Sequence, residues 1–321
     1  MKITADKKFM KNILNLLVLN FVLGFTAIHA QQDPGFTQYT YNMSLINPAY
    51  ATGTPEIVNF GAFHRSQWVG SVGGPLTNTF FAHFPVNEKI ETGLSFVNDD
   101  IGDGALRENN IYADFAYTIN LSEKHKLSFG VKAGATFLNT NFSDFQLESG
   151  SANTDPAFSE NLNRVFPNFG SGMYFYTNDY YIGLSTPNFL NSKHLNAIDG
   201  VQRIGKESTH VYFTGGYVFD VNKDFKLKPS FLIRSVEGVP PMFDISANVL
   251  FRDRFEVGVS YRYDDSVSGL AKFGVTPNIH IGYAYDYTTT NLGNFNSGSH
   301  EIFILYNLNL IKGYDKSPRF F

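Results

Sequence analysis

The chain has 321 residues with a formal net charge of -4 and no cysteine, so it offers no disulfide framework, no thiol chemistry and no basic surface to draw nucleic acid. Aromatic residues make up 16%, with Phe 32 and Tyr 18, yet the mean hydropathy is only -0.15. Large apolar groups are therefore interleaved with polar ones, the mixture a lipid-facing β-barrel with a polar lumen requires.

The first thirty residues read as a secretory signal peptide. Lys2, Lys7, Lys8 and Lys11 form a positive region, an apolar stretch runs from Ile13 to Ile28, and Ala30 offers a small residue before a cut at Gln31. The alternative is a retained anchor helix, although Asn15, Asn20 and Gly24 interrupt a short apolar run. No later stretch is long and apolar enough to span a bilayer as a helix. Residues 31–55 hold two turn starters, Asp33-Pro34 and Asn47-Pro48, with aromatics between them that want burial. That segment is expected either to enter a lumen as a plug, anchored by Phe36, Tyr39 and Tyr50, or to cap the periplasmic side.

Beyond it, period-2 alternation dominates. Phe255, Val257, Val259, Tyr261 and Tyr263 oppose Glu256, Gly258, Ser260 and Arg262. Ile281, Tyr283, Tyr285 and Tyr287 oppose Gly282, Ala284 and Asp286; Leu127, Phe129, Val131, Ala133 and Phe137 oppose Ser128, Gly130, Lys132 and Thr136. Successive strand side chains point to opposite faces, so each strand has one apolar and one polar face. About fourteen strands are expected by this pattern, near 57–64, 77–86, 90–98, 109–121, 125–139, 166–177, 180–186, 209–221, 225–235, 242–251, 254–264, 268–276, 279–288 and 300–309, with noisy alternation over 166–186. Short links such as Asn87-Glu88-Lys89, Ser122-Glu123-Lys124 and Arg252-Asp253 take turns with longer ones at 65–76, 99–108, 140–165, 187–208, 236–241, 265–267 and 289–299. The expectation is an all-β transmembrane antiparallel up-and-down barrel over 56–310, with tight periplasmic turns, longer extracellular loops and both termini on the periplasmic side. A pair of soluble β-sandwiches is the alternative, but sandwiches need Greek-key crossovers and give no reason for long and short loops to alternate. Residues 311–321, with Lys312, Lys316 and Arg319, read as a polar periplasmic tail.

Inward positions carry Asp114, Lys132, Lys226, Lys228, Arg234, Asp244, Glu256, Arg262 and Asp286, to be hydrated or paired across the lumen, or to form a network holding a plug. The acidic run Asp99-Asp100-Ile101-Gly102-Asp103-Gly104 has oxygen ligands for calcium but misses the EF-hand spacing, since Ile101 takes the third position; an acidic hairpin loop is the plainer reading. The histidines lie singly, without zinc spacing, and no serine elbow, P-loop or dinucleotide fingerprint occurs. His83 near Asn78 is the one hint of barrel hydrolase chemistry, against an ordinary lumen or girdle residue. Catalytic residues, cofactors and metals are accordingly expected to be absent.

The motifs after the signal peptide are Asp33-Pro34-Gly35-Phe36-Thr37-Gln38-Tyr39 with Asn42, then Asn47-Pro48-Ala49-Tyr50-Ala51, then Arg65-Ser66-Gln67-Trp68. This set resembles the opening of the PorP/SprF family of outer-membrane proteins of the Bacteroidetes type IX secretion and gliding apparatus, with its D-P-x-F-S/T-Q-Y-x-x-N, N-P-A-Y-A-G and R-x-Q-W elements. Thr52 intrudes before Gly53, so the second element is altered at its end. The resemblance implies a non-enzymatic outer-membrane role. It implies partners among other type IX secretion components and large surface adhesins, bound through their C-terminal signal domains for export or anchoring. Asp33, Pro34, Phe36, Gln38, Tyr39, Asn42, Asn47, Pro48, Tyr50, Arg65, Gln67 and Trp68 become candidate partner or plug contacts. The large loops at 140–165 and 187–208, rich in Asn, Ser, Phe and Leu, suit a protein interface. The alternative function is a porin or small-molecule transporter with a polar lumen.

Overall fold

The computed structural model describes residues 35–50, 57–142, 146–147, 150–151, 161–190 and 209–310. The expected signal peptide, Asp33, Pro34, parts of the 140–165 and 187–208 loops and the 311–321 tail lie outside the described residues. Fourteen antiparallel strands close into a barrel. They are β1 (Ile57–Ser66), β2 (Leu76–Pro85), β3 (Ile90–Ile101), β4 (Leu106–Asn120), β5 (Lys126–Thr140), β6 (Asn163–Tyr176), β7 (Tyr180–Thr186), β8 (His210–Tyr217, resumed at Phe219–Asp220), β9 (Phe225–Val236), β10 (Val239–Phe251), β11 (Phe255–Arg262), β12 (Ser266–Gly274), β13 (Ile279–Thr288) and β14 (Ser299–Asn309). Each pairs with its neighbour in sequence, and β1 pairs with β14 from Ile57↔Asn309 to Ser66↔His300. The barrel itself leaves no edge strand open, which lipid demands because hydrocarbon cannot bond to a free backbone edge.

Alternation sorts the two faces. Along β11, Phe255, Val257, Val259 and Tyr261 are exposed while Glu256, Ser260 and Arg262 are buried. Along β5, Phe129, Val131 and Phe137 are exposed while Ser128, Lys132 and Thr136 are buried. Apolar side chains outside and polar ones inside are the inverse of a soluble sandwich, and they give a lipid-facing surface around a polar lumen. A lysine in place of Val259, the fifth residue of β11, is therefore expected to cost about 2 kcal/mol or more in a bilayer. Urea unfolding in liposomes measures it, and an unchanged midpoint would mean that this face does not meet lipid.

The alternation over β6 is noisy for a structural reason. Its inward face carries Tyr174 and Tyr176, which join Tyr181 of β7, Tyr212 of β8 and Leu232 of β9 in an apolar patch inside the lumen. The alternation of short and long links is less regular than expected. Glu237 and Gly238 alone connect β9 to β10, and 263–265 alone connects β11 to β12. Gly238 (φ 81) and Asp264 (φ 54) take left-handed conformations that close tight turns. β3 also runs on to Ile101, shortening its link to 102–105. The long connections are those at 67–75, 141–162, 187–209 and 289–298, all at one end of the barrel. At the opposite end, Arg252 and Asp253 (φ 50 and 51) make a turn whose consecutive positive φ values suit the twist of a hairpin.

Candidate functional site: the occupied lumen

Residues 35–50 lie inside the barrel. Two 3-10 turns, Tyr39–Tyr41 and Met43–Leu45, fold the segment back on itself. Thr37, Gln38, Tyr39, Asn42, Met43, Ser44 and the run Ile46 to Tyr50 are all buried. Tyr39, Met43, Ile46, Ala49 and Tyr50 pack on the tyrosine patch of β6, β7 and β8, with Phe36 at its border. Tyr50 stands edge-on to Tyr174 at 5.5 Å and to His83 at 6.1 Å. Burial, reinforced by Tyr181 and Asp244, pushes the Tyr39 phenol well above the usual tyrosine range, so that ring is neutral.

Three glycines on adjacent strands make room for the middle of the segment. A Cβ on Gly130 of β5 would meet the backbone of Pro48 and Ala49; one on Gly172 of β6 would meet Asn47 Oδ1; one on Gly183 of β7 would lie 2.8 Å from Asn47 Nδ2. Asn47 donates from Nδ2 to the Met173 carbonyl (3.0 Å) and accepts from the Ala49 N–H (2.9 Å), so it fixes its own turn and ties that turn to the wall. Ser185 Oγ donates to the Ile46 carbonyl (2.6 Å), and Lys132 Nζ donates to the Ser44 carbonyl (3.0 Å).

At the long-loop end the segment meets charge. The Thr37 and Gln38 N–H groups donate to Glu301 Oε2 and Oε1 at 3.0 and 2.9 Å. The Thr37 hydroxyl donates to Asp286, 2.7 Å from Oδ2, and Arg65 Nη1 reaches Asp286 at 2.8 Å and Glu301 at 3.1 Å. Of the sequence candidates, Phe36, Gln38, Tyr39, Asn42, Asn47, Pro48, Tyr50 and Arg65 thus converge in the lumen. Gln67 and Trp68 do not: they lie in the 67–75 loop, where Gln67 N–H bonds the Pro75 carbonyl and Trp68 (φ 52) bonds Ser299 Oγ through its N–H at 3.1 Å.

The predicted lumen charges Asp114, Lys132, Arg234, Asp244, Glu256, Arg262 and Asp286 are all buried on inward faces. Asp114, Lys132, Asp244, Glu256 and Arg262 pair with next-door strands rather than across the lumen, whereas Asp286 of β13 reaches past β14 to Arg65 of β1. Asp114 lies 3.5 Å from Lys132, Asp244 2.8 Å from Arg262 and Glu256 2.5 Å from Lys272, and each pair occupies directly opposed register positions. Arg234 Nη2 lies 3.1 Å from Met242 Sδ, and Lys228 is buried near the Tyr41 ring. Lys226 departs from the expectation: it sits half-buried at the short-turn end and pairs with Asp253 at 3.0 Å. Sequence reading passed over Lys272 and Glu301. Lys272 is findable by counting register back from the β11–β12 turn, whereas Glu301 faces Arg65 across the closing seam, far away in the chain.

Two minor alternatives raised by the sequence, calcium binding at 99–104 and hydrolase chemistry at His83 and Asn78, find no matching arrangement among the described residues. Asp99 and Asp100 are consecutive strand residues and diverge: Asp99 accepts from Thr77 Oγ1 (2.6 Å) in the lumen, and Asp100 pairs with Arg107 (2.7 Å) outside. Among the described residues no cluster of three or more His, Asp or Glu is placed to hold a metal ion. A calorimetric titration with calcium is accordingly expected to give no binding heat, and a saturable signal would show that the loop rearranges. His83 and Asn78 lie on opposite faces, as an odd spacing in a strand requires; Asn78 bonds the exposed His64 (2.8 Å). His83 instead sits 3.0 Å from Ser44 Oγ and 3.5 Å from Glu91. The Ser44 hydroxyl donates a hydrogen bond to Asn42 Oδ1 (3.2 Å), so the trio reads as another tie between segment and wall.

Solved structures with this barrel architecture are distant in sequence. The toluene transporter TbuX of Ralstonia pickettii aligns with a TM-score of 0.51 at 12% identity, covering 83% of this chain and 93% of that one. A TodX mutant described as a monoaromatic hydrocarbon channel aligns at 0.50 and 11%, covering 84% and 94%. At such identities the likeness concerns the fold. No curated protein matches the sequence. The family model for the type IX secretion system membrane protein PorP/SprF matches residues 28–306.

Proposed function

Because the chain belongs to the PorP/SprF family of type IX secretion system membrane proteins, matched over nearly its whole length, we propose that it is a non-enzymatic outer-membrane partner in secretion. In this reading it binds large surface adhesins through their C-terminal signal domains and helps their export or anchoring. Residues 35–50 act as a fixed plug, and the long loops at one end offer the binding surface. The observation that carries the reading is the filled lumen. A solute channel is best served by a clear path, whereas here buried backbone and aromatic rings occupy the interior and are bonded to at least six strands. The resemblance in fold to hydrocarbon transporters leaves the function open, since one barrel architecture serves many tasks.

The test is made in the native membrane. The tagged full-length protein, extracted in mild detergent, is expected to bring down a secretion component or an adhesin carrying a C-terminal signal domain. Deletion of the gene is expected to remove at least one such adhesin from the cell surface. Normal display of every such adhesin in the deletion strain would refute the proposal. Solute uptake lost on deletion, with display intact, would favour the porin reading.

A further inference from the structure

We propose that residues 35–50 are an assembly staple that fastens the seam where the barrel closes. In an up-and-down barrel every strand pair but one is joined by a local connection. The exception is β14 with β1, whose partners come from opposite ends of the barrel sequence, so this pairing carries the largest loop-closure cost. The N-terminal segment meets that seam at two levels.

At the long-loop end, Glu301 of β14 stands opposite Arg65 of β1 in register. Its two oxygens take the Thr37 and Gln38 amides, while Thr37 Oγ1 binds Asp286 of β13 and accepts from Arg65 Nη1 at 3.2 Å. One short stretch of chain thus holds β13, β14 and β1 together. Deeper in the lumen the Tyr41 ring packs on Phe303 of β14 at 4.8 Å, within a cluster that includes Phe63 of β1 and Phe81 of β2.

Glu301 makes the coupling strict, because its exposure is 0%. A carboxylate so placed is tolerable only with its cation and its donors present. Arg65 arrives with β1, and the two amides arrive with the segment. Closing the seam without the segment would bury a half-satisfied charge, and seating the segment without the seam would leave the Thr37 and Gln38 amides without the Arg65-paired carboxylate that takes them. Closure of the seam and seating of residues 37–38 are therefore coupled.

The absence of cysteine from the sequence makes a clean test possible. Full-length protein is refolded into detergent micelles, and the closed barrel is scored as the fast-migrating band on unheated gels. Glu301→Gln keeps the side-chain shape but sets an NH2 group against a backbone N–H. The closed fraction is expected to fall several-fold. A disulfide between Ala62→Cys and Ile304→Cys then spans the seam on its outward face, where the two positions are register partners. Opposed strand residues lie about 4.5–5.5 Å apart between Cα atoms, within disulfide reach. This bridge is expected to restore closure to the Glu301→Gln protein. A control bridge between Val257→Cys and Ala271→Cys, register partners on the hairpin-joined β11 and β12, is expected to restore nothing. Wild-type closure by Glu301→Gln would overturn the proposal, as would equal rescue by both bridges or by neither.

Discussion

Valine at position 130 is expected to turn a filled barrel into a conducting one. Gly130, the fifth residue of β5, faces the lumen, and any Cβ there collides with the backbone of Pro48 and Ala49. A flexible side chain could swing away, but a backbone held by Asn47 and its bond to Met173 cannot. Overpacking a tight contact costs about 1–3 kcal/mol, and here the relief is to push residues 47–50 off the wall. The ladder of β5 to β4 and β6 is continuous along the strand and does not depend on that contact. The barrel should therefore persist, its seam still held at Thr37 and Gln38, while residues 47–50 are displaced. Planar-bilayer recording reads this directly: wild type is expected to be silent, and Gly130→Val to show long-lived conductance steps. A silent variant with an intact barrel would mean that the segment refits around the new side chain.

Arg65→Met is expected to cause the largest loss of stability of any single substitution in the lumen. Arg65 is 2% exposed and serves two buried carboxylates, Asp286 and Glu301. Removing one member of a buried ion pair leaves a charge without compensation and costs about 3–5 kcal/mol; here two carboxylates are stranded about one vacated site. The matched control is Arg107→Met. Its pair with Asp100 is as short, at 2.7 Å, but the Arg107 side chain is 57% exposed, and such pairs contribute about 1 kcal/mol or less. Guanidinium unfolding in one detergent compares the two variants. Equal losses would show that burial is not what makes the Arg65 cluster matter.

The barrel was legible because lipid imposes a simple rule on each strand. Where the lumen is merely polar, as along β11 and β13, alternation is clean and the expected strand limits fall within a few residues of those observed. Where the lumen wall must hold something, the rule blurs: Tyr174, Tyr176 and Phe303 point inward, so apolar residues occupy both faces. The local charge pairs were readable in principle, since hairpins fix register. The Arg65–Glu301 pair was not, because no local count links the first strand to the last. The family motifs marked residues 36–50 and Arg65 as a set, but their common purpose emerges only when the turn-forming Asn47-Pro48 is seen lying on three glycines contributed by different strands.

Trp68 has a practical consequence. It is the sole tryptophan of the sequence, and the 67–75 loop that carries it is laced to the 289–298 loop through Val69 N–H to the Gly298 carbonyl (2.8 Å) and Ser71 Oγ to the Phe295 carbonyl (2.7 Å). Ultraviolet emission excited at the red edge therefore comes from one indole on the loop rim. Its wavelength and quenching report what happens on that rim alone, without a dye and without interference from the tyrosine-rich interior.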